Sequence, residues 1–88
     1  MFTVYVLLSA STGKLYVGQT QDLSRRLSEH EAGVARYTRG RGPWRLVLTE
    51  PYPTRAQAMR REKSLKTGQG RQYIKEMLAV GAGPPQAD

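Results

Sequence analysis

A small α+β domain is what this sequence predicts, and three observations carry that expectation. Three short stretches, FTVYVLLS, LYVG and WRLVLTE, are rich in β-branched, aromatic and leucine side chains. Three others carry helix caps or a helical period. The chain of 88 residues is short enough to be one domain. At that size folding hides about 60 to 65% of the unfolded chain's surface, so the core is thin and each buried polar side chain needs a reason.

FTVYVLLS alternates, with Phe2, Val4, Val6 and Leu8 on one face and Thr3, Tyr5 and Leu7 on the other, which is the period of a strand. LYVG follows a turn-like SASTGK. Leu15 and Val17 then face one way and Tyr16 the other, and Gly13 takes the left-handed turn position of a hairpin. A loop centred between Ala10 and Ser11 pairs Tyr5 with Tyr16 and sets two phenols side by side.

Asp22 is an N-cap and Gly33 a stop for a first helix. Its apolar stripe is Leu23, Leu27 and Val34, yet Arg26 falls at the stripe's edge and His30 within it. VARYTRGRGP has no period and reads as a basic loop, where Arg36, Arg39 and Arg41, with Tyr37 among them and Arg45 beyond, suit phosphates and a stacked base. Trp44 reads as a core anchor. WRLVLTE is apolar enough to be the central strand of a small sheet.

Thr54 and Gln57 fit a capping box at the head of a second helix, 55–67. Ala58, Met59 and Leu65 define its apolar side, and Glu62 projects between them. Arg55, Arg60, Arg61, Lys63, Lys66 and nearby Arg71 flank that acid. Gly68 and Gly70 interrupt, RQYIKEMLAV makes a third helix, and GAGPPQAD reads as a disordered tail. The expected organisation is one domain over 1–80 with a tail at 81–88.

Fourteen Lys and Arg against seven Asp and Glu give a net charge of +7, and the sequence pI is about 10.3, a balance suited to a polyanion. Cysteine is absent, so disulfides and thiolate chemistry are excluded. No apolar run reaches the roughly 18 residues of a membrane span and no secretion signal opens the chain, so the expected location is cytoplasmic.

A buried carboxylate must be paired, neutralised or bound to a cation. An internal ion pair between Glu62 and Arg26 would account for both inward charges without a function. The alternative is a site for phosphodiester cleavage. A hard divalent ion takes oxygen ligands, an arginine fork suits the charge that builds on phosphoryl oxygens, and a phenol or imidazole takes a proton from water.

The order Val4-Tyr5-Val6, Tyr16-Val17-Gly18, Arg26 with His30 four residues on, and Glu62 in RREKSLK resembles the GIY-YIG endonuclease family, in particular its small stand-alone bacterial members. The likeness covers about residues 2 to 78. It implies an α+β fold with a small three-stranded antiparallel sheet flanked by helices, and hydrolysis of nucleic-acid phosphodiesters with one Mg²⁺ or Mn²⁺. By that resemblance Tyr5 and Tyr16 position or deprotonate the water, Arg26 clamps phosphate, Glu62 holds the metal and His30 assists proton transfer. Gly18 is the motif glycine that permits close approach of backbone and substrate, and Lys66 joins the nucleic-acid-binding set.

Both tripeptides are relaxed by valines, and the asparagine that many larger members carry late in the domain has no counterpart here. An appended DNA-binding domain of the kind the larger members carry is not expected in 88 residues. The implied substrate is DNA, with RNA an alternative, and specificity is loose, structure-based or supplied by a protein partner. The competing functional class is a nucleic-acid binding module of the same fold with little or no activity.

Overall fold

The computed structural model describes residues 1–33 and 40–81. The elements run β1 (Phe2–Ser9), β2 (Leu15–Thr20), α1 (Leu23–Glu31), β3 (Trp44–Tyr52), α2 (Arg55–Leu65) and α3 (Gly68–Gly81). The strands form one antiparallel sheet in the order β2-β1-β3. The expected α+β class and three-stranded sheet are therefore present. The central strand is β1, not WRLVLTE: β1 has Val4, Tyr5, Val6 and Leu7 all buried, whereas β3 is an edge strand with Arg45 and Leu46 exposed.

The hairpin register also differs from the expected one. Tyr5 pairs with Gly18, and Tyr16 with Leu7, because Ser9 N–H reaches the Lys14 carbonyl at 2.9 Å and moves the turn one residue along the chain. A shift of this parity leaves each side chain on its expected face. Tyr5 and Tyr16 remain on one side of the sheet, as diagonal neighbours.

Each helix starts where the sequence supplies an acceptor. Asp22 Oδ1 accepts the Arg25 N–H at 3.0 Å, and Thr54 Oγ1 accepts the Gln57 N–H at 3.2 Å. For α3 the cap is Thr67, whose Oγ1 accepts the Gly70 N–H at 3.1 Å. Gly68 and Gly70 thus lie inside the helix rather than interrupting it. Gly70 is there because α2 presses on it: an added Cβ would lie 2.5 Å from Leu65 Cα and against the Ser64 carbonyl.

The core lies between the sheet and the two C-terminal helices, where Val4, Val6, Val17, Ala58, Leu65 and Ile74 form one buried cluster. Met59, expected among them, is 50% exposed, since the face of α2 that meets the sheet is set by Ala58 and Leu65. Glu50 of β3 and Arg61 of α2 close one side of this layer in a two-pronged ion pair at 2.8 and 3.1 Å, with Arg61 also stacked over Tyr73. Val34 and the 82–88 tail lie outside the described residues.

Candidate active site

The opposite face of the sheet carries Tyr5 and Tyr16, and α1 brings His30 and Arg26 to it. Tyr5 is fully buried, and its hydroxyl lies 3.0 Å from His30 Nε2. The His30 ring meets both phenols edge-on, with centroids 5.8 Å from Tyr5 and 5.0 Å from Tyr16. The two phenol rings are 6.2 Å apart. Trp44, expected as a core anchor, is half-buried and sets its ring edge-on to Tyr16 at 6.4 Å.

Room for the buried phenol comes from Gly18. A Cβ there would lie 2.7 Å from the Tyr5 hydroxyl oxygen and 2.8 Å from Cζ, so the ring lies directly over the missing side chain. The glycine therefore makes room for the tyrosine, a role beside the close approach of substrate to backbone that the resemblance implies.

Arg26 is half-buried, and its Nη1 donates to Glu29 Oε1 at 2.7 Å. Its guanidinium also interacts with the hydroxyls of Tyr5 and Tyr16. Glu29 Oε2 in turn accepts from Arg25 at 2.8 Å. The internal pair of Arg26 with Glu62 does not form. Glu62 Oε2 instead accepts from Lys66 Nζ at 2.8 Å, one turn on along α2. Glu29 was missed in the sequence, although its spacing three residues after Arg26 was the available signal.

Electrostatics sort these groups. Burial pushes the Tyr5 hydroxyl up to about 12, with the Arg26 hydrogen bond opposing the rise. Hydrogen bonds that Arg26 donates to Glu29 and then to Tyr5 raise it, so it stays charged at any working pH. His30 lies below its ordinary value, first through burial and then through the nearby Arg26 charge, with Glu29 opposing. Glu29 is held low by Arg26. At neutral pH the cluster is a protonated phenol, a neutral imidazole and a fixed guanidinium.

Tyr16 lines a cleft of about 350 Å³ together with Leu15, Val17, Lys66 and Arg71. This cleft joins the polar face to α2, because Lys66 on its wall is the partner of Glu62. Arg41 and Arg45 are exposed, and the Arg41 carbonyl accepts from Ser9 Oγ at 2.6 Å, which ties that part of the chain to the end of β1. Arg36, Tyr37 and Arg39 lie outside the described residues. Among the described residues no three His, Asp or Glu side chains gather as a metal cage. No helix among them is long and apolar enough to cross a membrane.

Residues 1–75 match the model of the GIY-YIG catalytic domain, the class that this sheet and this cluster define. The UPF0213 protein BH0048 of Halalkalibacterium halodurans is 40% identical over 82 residues, 92% of this chain and 85% of that protein. A UPF0213 protein of Halobacterium salinarum is 48% identical over 67 residues, 75% of this chain and 86% of its own length. The solution NMR structure of the UPF0213 protein BH0048 from Bacillus halodurans superposes with a TM-score of 0.57 at 39% identity, covering 97% of this chain and 90% of that one. The chain belongs to the GIY-YIG family, a family of nuclease domains, and its relatives include small UPF0213 proteins.

Proposed function

We propose that this domain is a divalent-metal-dependent endonuclease that hydrolyses nucleic-acid phosphodiester bonds, DNA foremost, with loose or structure-based specificity. The observation that carries the reading is the joining of Arg26, Tyr5, Tyr16 and His30 on one face beside a cationic cleft.

The roles follow from access. Tyr16 lines the cleft and is the phenol that meets the attacking water. Tyr5 is sealed from solvent and holds its proton at neutral pH, so it acts as a positioning residue. With Arg26 donating toward the Tyr5 oxygen, the phenol hydrogen goes to Nε2 of neutral His30, which places the imidazole proton on Nδ1. Buried at 3% exposure, His30 thereby fixes the direction of the chain of hydrogen bonds. Arg26 presents a permanent charge to the phosphoryl oxygens, and Glu29 holds it in place.

The donor set suits a hard cation. Glu62 is a half-buried carboxylate paired with Lys66, which lines the cleft, and Mg²⁺ is commonly held by one or two carboxylates with water and phosphate completing the shell. A bound Mg²⁺ or Mn²⁺ would supply Lewis-acid polarisation of the phosphoryl oxygen and of water.

The competing reading, a binding module without cleavage, has one observation in its favour: Lys66 already occupies one oxygen of Glu62. Incubating the protein with single-stranded, duplex, flapped and RNA substrates in Mg²⁺, Mn²⁺ or chelator separates the two. Cleavage in metal alone, abolished by Glu62→Gln with binding retained, is the expected result. Binding with no cleavage of any substrate in either metal would establish the module instead.

A further inference from the structure

We infer that a second cleft, continuous with the first, binds the backbone of a single-stranded segment that flanks the bond to be cut. This rests on the nuclease reading above. The second cleft, of about 320 Å³, is lined by Gly13, Lys14, Leu15, Arg71 and Lys75. It shares Leu15 and Arg71 with the cleft that holds Tyr16. The two adjoin along the free edge of β2 and together form the proposed channel.

Charge gathers at this channel. Lys14, Arg71 and Lys75 are exposed, and among the described residues none of the three has a carboxylate within ion-pair distance, whereas Arg25, Arg26, Arg61 and Lys66 all do. Arg71 and Lys75 also sit four residues apart on α3, a spacing at which like charges repel. The Gly13 turn brings a third cation to the same rim: Gly13 takes a φ of +74°, its N–H bonds the Ser9 carbonyl at 2.9 Å, and Lys14 follows. Three unneutralised cations at one mouth weaken the fold slightly unless an anion lies between them.

Shape selects the kind of strand. A duplex is read by a convex element that enters its groove. Here the surface is concave, with Leu15, Tyr16 and Val17 along its walls and cations at its rim. Apolar and aromatic walls receive unstacked bases while the rim tracks phosphates, the arrangement suited to single strands. The channel thus assigns the substrate an unpaired arm on one side of the scissile phosphate.

Fluorescence anisotropy with a dye-labelled oligothymidine and with a matched duplex, in chelator across a salt series, tests this. Each phosphate contact to a single strand contributes about 0.7 to the log–log salt slope, so Lys14→Gln, Arg71→Gln and Lys75→Gln together should lower the slope by about 2, and each alone by about 0.7. Arg55→Gln, on an exposed residue outside both clefts, should leave it unchanged. The single variants serve if the triple variant melts below the parent. In metal, the triple variant should raise KM for a flapped substrate and spare kcat, as expected for a contact equal in ground and transition states. An unchanged slope in variants that melt like the parent would overturn the channel, as would charge losses felt by duplex alone. The two readings fail separately. A parent that cleaves nothing while the slope still falls defeats the nuclease and leaves the channel; a parent and triple variant with equal KM on flapped substrate defeat the channel and leave the nuclease.

Discussion

The two faces of one three-stranded sheet differ in almost every physical respect. On the side of α2 and α3, Val4, Val6, Val17, Ala58, Leu65 and Ile74 pack into a dry cluster, and Gly70 lets the helices touch backbone to backbone. On the side of α1, Tyr5, Tyr16, His30 and Arg26 replace aliphatics, Leu46 is 39% exposed, and a cavity of about 110 Å³ remains under Leu7, Leu27, His30 and Trp44. The first face supplies stability through buried apolar area, so the second is free to hold groups that a core would reject. Apolar packing and the polar cluster thus lie on opposite sides of a single sheet, and of the proposed site only Glu62 and Lys66 come from the packed side.

The largest way to sharpen that contrast is on the packed face. Leu65→Ala should destabilise the protein by about 2 to 5 kcal/mol while cleavage per folded molecule is unchanged. Chemical denaturation beside a cleavage assay checks it, and a parallel tenfold loss of cleavage in the folded fraction would show that the faces are not independent. Next comes the other face. Tyr16→Phe should lower cleavage about 10²-fold, roughly 2.7 kcal/mol of transition-state stabilisation, with the melting temperature unmoved.

Gly18→Ala should breach the division, because the new methyl group drives the Tyr5 ring from its place. Overpacking of this kind costs about 1 to 3 kcal/mol, and here cleavage should fall with stability. Thermal melts and rates measured on one preparation would reveal a variant that loses only one of the two. Glu29→Gln is a gentler probe. It loosens Arg26 without removing it, so cleavage should fall about tenfold, less than the hundredfold that a misplaced group can cost, and melting should not change.

The smallest effect is a pH dependence of stability. His30 has its native value below the unfolded value of about 6.5, so the unfolded chain takes up the proton first. Stability is then complete above that value and declines as pH falls through the window beneath it. Melts between about pH 7 and pH 5 should show the decline in the parent and a flatter profile in His30→Gln; identical profiles would mean that burial of the imidazole is not what α1 contributes.

Local signals in the sequence reached far. Alternation found β1 and β2 and their faces, and Asp22 and Thr54 marked helix starts because a cap is a contact between near neighbours. Less legible was anything that depends on a distant partner. The Leu46–Leu48 stretch of β3 illustrates it: Val6 pairs with Leu48 and Leu7 with Leu46, so a bulge at Val47 lets two residues of equal parity serve opposite faces. No period in WRLVLTE discloses that, and its apolar character alone points to a central strand. Gly70 looked like a helix breaker because the backbone it accommodates belongs to another helix. In the candidate site, Arg26 and His30 stand out in the sequence as polar groups on an apolar helix face, and Tyr5 and Tyr16 as two phenols on one face of a hairpin. The Lys14–Arg71–Lys75 rim does not, since its members are 57 and more residues apart from the turn to α3 and only the fold brings them together.

The contact between Gly18 and Tyr5 has a consequence for how such a chain can vary. Position 18 has no space for a side chain while a phenol lies over it, and a phenol at 5 has nowhere to lie once 18 carries one. The two are one heritable unit although 13 residues separate them, because a lineage that altered either alone would pass through a strained or hollow intermediate. Neighbouring valines in both tripeptides face no such bond and can drift among β-branched residues. The motif therefore narrows to the pair that touches.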